Sequence, residues 1–377
     1  MTTVEILLMV GGKSGVELAL NRVANYLADY NCMIRFVQVI STDYPWATDK
    51  AEFFCLDMNS DIDMQNCILA YQEHIRKAGK PDIILVAGMP VAVYIAKGAL
   101  ANLGIDDCIT VAWPHNDLSF YSDDHSEIAR ELDFADMIFA ISDKIASEAA
   151  SMCPGKIIYR VNNTIDTDKI LFSDNRNSQK IAFIGRLSPE KNIGDIIRAI
   201  SLANSNWELY IIGDGDERQL LEGITASLNL TDRVHFLGWL DDPYKEIPDV
   251  RAMVMTSSTE GAPLSTIEAL ACGMQVISTP VGFNPEVITS DENGYIFSGD
   301  IPKELAGVLD MLAKEEYKQE TAYLCRDSVS DYMPDVALWD FLCKTVASSR
   351  LIGLPQRNWE NKETRLVRKG SGYNPML

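Results

Sequence analysis

The stretch Ala252-Met-Val-Met-Thr-Ser-Ser-Thr-Glu260-Gly-Ala-Pro-Leu-Ser-Thr-Ile-Glu268-Ala-Leu-Ala-Cys-Gly273 compresses a strand, a polar loop and a helix start into about twenty residues. The apolar run Ala252–Thr256 reads as the strand, and Thr266–Ala271 lies in the helix. The first backbone N–H groups of a helix have no intrahelical acceptor, so such a start attracts anions. Carboxylates suit a different target, because they accept hydrogen bonds from hydroxyls. An anion-binding edge flanked by Glu260 and Glu268 therefore describes a diphosphate with a sugar at each end.

Outward from this stretch the same rhythm repeats. Apolar runs at Val4–Val10, Ile34–Ile40, Ile83–Ala87, Thr110–Trp113, Met137–Ile141 and Ile157–Val161 alternate with helical segments such as Glu17–Ala28 and Met64–Lys77. The rhythm restarts at Ile181–Ile184, Leu209–Ile212, Val234–Leu237, Ala252–Thr256, Val276–Ser278 and Tyr295–Phe297, with helices at Ile193–Ala203 and Glu217–Leu228. Short buried strands alternating with helices mean parallel sheets covered on both faces. The polar segment Asp166–Lys180 reads as the linker. The fold class expected is α/β: two doubly wound Rossmann-like domains, residues 1–170 and 171–335, with a cleft between them. Residues 336–377 form a C-terminal helix and basic tail that crosses back toward the first domain. Ligands of such sheets bind outside the carboxyl ends of the strands.

With 377 residues and an apolar fraction of 47%, the chain has room for two globular domains. A formal net charge of −21 argues against nucleic acid as a partner. The eight cysteines are scattered with no Cys-x-x-Cys, which reads as reduced thiols in the cytoplasm without a disulfide framework or metal site. No run is long enough for a membrane span, and the N-terminus does not resemble a signal peptide. Between Arg350 and Leu377 six basic residues stand against two acidic ones. That tail is either solvated or a contact with the inner membrane face, an acceptor or a partner subunit.

Several smaller constellations carry chemistry. Gly185-Arg-Leu-Ser-Pro-Glu-Lys-Asn192 follows a strand, so Arg186 and Lys191 can converge on one anion. Gly11-Gly-Lys-Ser-Gly15 is not a nucleotide P-loop, because the required first glycine would fall on Leu7. It reads as a glycine turn, Gly11 and Gly12, opposite the diphosphate or simply packed between strand and helix. His115, in Trp113-Pro-His-Asn-Asp117, follows a strand and reaches the cleft edge, with Asp117 beside it to orient it or touch an acceptor. His74, His125 and His235 read as structural or surface residues. Asp-x-Asp pairs at Asp61, Asp166 and Asp214 mimic a metal motif but are expected from so acidic a composition.

Gly185-Arg186 with Lys191, Ile212-Gly-Asp-Gly215, Phe236-Leu-Gly238 and Glu260 followed by Glu268 occur in that order. Together they resemble the nucleotide-binding half of retaining glycosyltransferases of the GT-B fold, glycosyltransferase family 4, over about residues 181–297. The resemblance implies that Arg186 and Lys191 hold the donor diphosphate with the amides around Ala262, Leu264 and Ser265. It implies that Glu268 takes the ribose hydroxyls and Glu260 those of the transferred sugar. Gly185 shapes the phosphate loop, the Gly213 loop and the Gly238–Tyr244 stretch border the base, His115 touches the sugar or transition state, and Glu17 is the acidic residue after the first glycine turn. Asn162-Asn-Thr-Ile-Asp166 resembles the family's Asn-Gly-Ile-Asp crossing segment, with Thr164 in place of glycine.

The resemblance further implies a metal-independent hexosyl transfer with retained configuration, from a UDP-type donor to a saccharide, protein or lipid-linked acceptor, without a cofactor, in cell-surface glycoconjugate synthesis. Two other readings share the architecture. A sugar-nucleotide epimerase would add acid and histidine catalysts in the second domain, where His235 is the sole histidine. A non-catalytic partner subunit would be expected to lose part of the Arg186, Lys191, Glu260 and Glu268 set, which is intact.

Overall fold

The computed structural model describes residues 1–350 apart from 13, 43–44, 59–62 and 298, with the backbone alone for 346–350. The basic tail beyond residue 350, and Asp61, lie outside the described residues.

In the first half, β1 (Thr2–Val10), β2 (Cys32–Ile40), β3 (Glu52–Met58), β4 (Ile83–Ala87), β5 (Ile109–Trp113), β6 (Met137–Ala140) and β7 (Ile157–Arg160) alternate with α1 (Gly15–Asp29), α2 (Met64–Ala78), α3 (Ala92–Leu103), α4 (His125–Phe134) and α5 (Asp143–Met152). In the second, β8 (Lys180–Ile184), β9 (Glu208–Ile212), β10 (Val234–Gly238), β11 (Ala252–Met255), β12 (Gln275–Ser278) and β13 (Gly294–Ile296) alternate with α6 (Ile193–Leu202), α7 (Arg218–Ser227), α8 (Pro243–Glu246), α9 (Leu264–Ala271) and α10 (Asn284–Val287). Helices α11 (Ile301–Leu312), α12 (Gln319–Asp327) and α13 (Pro334–Arg350) follow. Among the described residues, the strands pair in the orders β3-β2-β1-β4-β5-β6-β7 and β10-β9-β8-β11-β12-β13, all in parallel.

The central strands are covered on both faces, which is why they read as unbroken apolar runs. Every residue of β4, β5 and β6 is buried. Strand β3 lies at the sheet edge, and Phe53 is 45% exposed there. Its apolar run Phe53–Leu56 is short and left partly exposed, and the sequence reading passes over it. Strand order reverses beside β1, between β2 and β4, and beside β8, between β9 and β11. The two glycine turns therefore emerge at the two switch points, where open sheets bind ligands.

The chain crosses between the sheets twice. After β7 it runs through Asn162–Ile165 toward β8, and Arg176 on this path is fully buried, donating to the carbonyls of Pro248, Val250 and Cys272 at 2.8–3.0 Å. Burial pulls that guanidinium below its usual range, and the three carbonyls take bonds from its Nη1 and Nη2 while Nε stays buried without a partner. The stretch read as a polar linker is thus pinned to the second sheet. After α12 the chain returns, and α13 lays Phe341 on Trp113 and Phe139 at 4.9 and 5.3 Å between ring centres. Thr164 Oγ1 donates to the Tyr332 carbonyl at 3.2 Å, joining the two crossings. Among the described residues Thr164 is not one of those with positive φ, so its replacement of glycine leaves this backbone unstrained.

Candidate active site

Loop 185–192 is fastened to the end of β11 before it presents any charge. Asn192 adopts a left-handed φ of 51° and donates to the Thr256 carbonyl at 3.2 Å. Thr256 Oγ1 returns a bond to the Lys191 carbonyl at 2.8 Å. Lys191 then reaches Glu260, Nζ to Oε1 2.5 Å, and Ser257 Oγ donates to the same oxygen at 2.8 Å. Arg186 stands 66% exposed at the rim, 3.4 Å from Glu190. Both cations line one cavity with Glu260, Pro263, Leu264, Ser265 and Glu268. Leu264 and Ser265 open α9, so their amides have no intrahelical acceptor.

Glycines behind the loop set its shape. Gly213 has φ 136°, and a Cβ there would lie 1.8 Å from the Gly185 carbonyl. Its N–H donates to the Gly238 carbonyl at 2.8 Å, and Gly185 N–H donates to the Ile212 carbonyl at 3.0 Å. Three adjacent strand ends are thereby stacked by backbone. Gly185 lines the cavity, whereas Gly213 and Gly238 support it from behind, and Trp239 lines the wall.

The first domain contributes Ser14, Gly15 and Leu18. Here the sequence reading needs correction by a few residues. Gly11 is packed under Trp46, where a Cβ would lie 2.1 Å from the indole nitrogen. The Gly12 amide is taken by Glu17 Oε1 at 2.8 Å, and Glu17 also accepts from Ser14 Oγ. Glu17 is consumed in shaping the turn, and neither Gly11 nor Gly12 lines the cavity. Asp117 makes no bond to His115: its Oδ2 pairs with Lys144 at 2.5 Å, and its Oδ1 is buried without a partner.

His115 does reach the cleft, in a second lobe of the cavity with Arg186, Lys191, Glu260, Asn163 and Ala262. It is 5% exposed and its Nε2 has no hydrogen-bond partner. Burial depresses the imidazole to a pKa of about 3, so the ring is neutral. The Tyr121 hydroxyl fixes its loop by accepting from the amides of His115 and Asn116 at 2.9 and 3.0 Å. Opposite, a Cβ on Gly261 would lie 2.1 Å from the His115 carbonyl. Only glycine lets the two domains meet so closely. Asn163 Nδ2 donates to the Ala262 carbonyl at 3.1 Å, and its Oδ1 is buried without a partner.

Glu268 has a partner that sequence reasoning missed. Arg22 on α1 reaches across the boundary, Nη2 to Oε1 3.1 Å. Nothing in the sequence marks Arg22 apart from other polar residues of that helix. Trp239 was legible only as a member of the stretch 238–244, and Asn163 only as part of a crossing segment. Cys32, Cys55, Cys67, Cys108, Cys153, Cys272 and Cys325 are free thiols. Among the described residues, no three His, Cys, Asp or Glu side chains cluster as metal ligands, and no helix is long and apolar enough to cross a membrane. Asp63 and Asp166 cap helical turns, and Asp214 is 3.7 Å from Arg218.

Residues 166–323 match the family model described as "Glycosyl transferases group 1". The lipopolysaccharide 1,6-galactosyltransferase of Escherichia coli K12 is 29% identical over 245 residues, which cover 62% of this chain and 66% of that relative's length. Among solved structures, the lipopolysaccharide outer core galactosyltransferase WaaB in its apo form superposes with a TM-score of 0.76 at 20% identity, covering 92% of this chain and 99% of that one. Anabaena HepE in complex with UDP and glucose gives 0.73 at 18% identity, covering 92% and all of that chain. Residues 166–323 thus carry the glycosyl transferases group 1 match, and the chain as a whole has the two-domain GT-B fold.

Proposed function

We propose that the protein transfers a hexose, galactose or a close relative, from a UDP-type donor to a saccharide acceptor of the lipopolysaccharide kind, with retention and without a divalent cation. The observation that carries this reading is the convergence of Arg186, Lys191, the first turn of α9 and the Glu260 and Glu268 carboxylates on one cavity between the sheets. The names of the galactosyltransferase relative and of the UDP-bound structure support the choice of donor and acceptor.

Cleavage of the sugar–phosphate bond places negative charge on the diphosphate and oxocarbenium-like positive charge on the sugar. Arg186, Lys191 and the α9 amides stabilise the departing diphosphate, and each such donor is worth about 10²–10³ in rate. Glu260 accepts from hydroxyls of the transferred sugar. The neutral His115 offers a hydrogen bond, not a charge, at the sugar. The acceptor approaches from the first domain on the same face, and its proton leaves with the diphosphate oxygen. Arg186 and Lys191 take the electrostatic role a divalent ion would otherwise fill.

The test is a screen of UDP-sugars against core oligosaccharide acceptors, with and without EDTA, followed by NMR assignment of the new anomeric centre. An α-configured product from an α-configured donor, formed at an undiminished rate in EDTA, is expected. An inverted product or a rate abolished by EDTA would refute the mechanism. Failure of every UDP-sugar alongside turnover of another nucleotide sugar would refute the donor.

A further inference from the structure

Arg22 lies outside every loop that faces the donor, yet its guanidinium is divided between two interdomain partners. Nη2 is 3.1 Å from Glu268 Oε1, and Nη1 donates to the Thr164 carbonyl at 2.5 Å. The donor helix α1, the crossing segment and α9 are thereby tied at one point, with 16% of each charged side chain exposed. We infer that Arg22 is a positioning residue for the nucleotide: its bond across the domain boundary fixes the Glu268 carboxylate as the acceptor for the ribose hydroxyls.

This inference rests on the reading of Glu268 given above and adds the group that makes that reading work. Burial raises the Glu268 carboxyl above its ordinary range, and Arg22 is the largest influence opposing that rise. The groups facing Glu268 are Arg22 from α1, the Tyr244 hydroxyl from α8, Lys169 from the crossing segment and Cys272 from the end of its own helix. Tyr244 is also held by the Ser265 carbonyl at 3.0 Å, and Lys169 is drawn toward Asp242 at 3.3 Å. Arg22 is therefore the one directly bonded cation in this set. A protonated carboxyl offers fewer acceptor sites to a diol than an ionised one. Because Arg22 belongs to the first domain, ribose recognition is assembled jointly by the two domains.

The experiment compares UDP with 2′-deoxy-UDP by titration calorimetry at about pH 6 and pH 8.5. The proteins are the wild type and the variants Arg22→Met, Arg22→Gln, Arg22→Lys and Glu268→Gln, each first shown to be folded by thermal melting. Wild type is expected to prefer UDP by about tenfold at both pH values, the size of one charge-assisted hydrogen bond. Arg22→Met and Arg22→Gln are expected to lose most of that preference, and to lose more of it at the lower pH, because burial raises the Glu268 carboxyl and the neutral side chain no longer opposes that rise. Arg22→Lys is expected to keep it. An unchanged preference in both neutral variants would overturn the inference, as would a loss that is the same at both pH values. Glu268→Gln separates the two readings. If it retains the preference, the ribose assignment itself falls. If it abolishes the preference while the neutral Arg22 variants do not, only the role of Arg22 falls.

Discussion

Lys191 Nζ stands 2.5 Å from Glu260 Oε1, with 19% and 11% of the two side chains exposed. The cation proposed for the diphosphate and the carboxylate proposed for the sugar are thus each other's partner before a donor arrives. Lys191→Ala and Glu260→Gln are each expected to lower turnover by about 10²–10³. Residues sharing one interaction are not additive, so the double variant should lose much less than the product of the two. Lys191→Ala leaves a largely buried carboxylate unpaired and should melt below the double variant. Steady-state kinetics and thermal melts check this; multiplicative losses in turnover would mean the pair is incidental.

Gly261 is the contact through which the domains approach. A methyl group there would meet the His115 carbonyl at 2.1 Å, and that carbonyl is backbone and cannot swing aside. Gly261→Ala is expected to cost about 1–3 kcal/mol of stability through overpacking. It should also reduce kcat/KM by at least about tenfold, because the His115 and Glu260 sides of the cavity are moved apart. Urea denaturation and kinetics measure both, and a fully active alanine variant would contradict the close approach.

His115 makes the protein acid-sensitive. Its folded pKa is about 3 and the ordinary value is 6.5, so between these limits the unfolded chain binds the proton first. Stability from this group is complete above about pH 6.5 and is lost at about 1.4 kcal/mol per pH unit as pH falls toward 3. Denaturation at pH 7.5 and 5.5 should show His115→Gln losing less stability than wild type over that interval. Equal losses in the two proteins would contradict a neutral buried imidazole.

Trp239 lines the cavity beside the phosphate loop and is 44% exposed. If the base stacks there, UDP should quench its emission, and Trp239→Ala should weaken UDP binding by about tenfold. Because the chain has six tryptophans, the quench is read as the difference between wild type and Trp239→Phe. No difference would move the base elsewhere in the cleft.

The βα rhythm was readable because the inner strands are sheathed on both faces and so carry unbroken apolar runs. Edge strand β3 has no such sheath, and its four-residue apolar run Phe53–Leu56 was passed over although the edge strands β7 and β10 were read. Glu260, Lys191 and Glu268 were readable because each sits at a fixed place relative to a strand end. Arg22 was not, since its partners lie 142 and 246 positions away and its own helix carries no distinguishing pattern. The first glycine turn was located but assigned three residues early: the bulk of Trp46 claims Gly11, and Ser14 and Gly15 take the cleft. A one-dimensional pattern marks turns well but does not tell which side of a turn a tryptophan at position 46 will fill.

The return of α13, with Phe341 seated on Trp113 and Phe139, gives the two lobes a pair of covalent connections instead of one. A single connection would let the lobes swivel about any direction. Two, stitched together by the Thr164–Tyr332 bond, restrict how the lobes can shift about the contact between His115 and Gly261. Whatever enters between the lobes meets walls held in register by a helix from far along the chain.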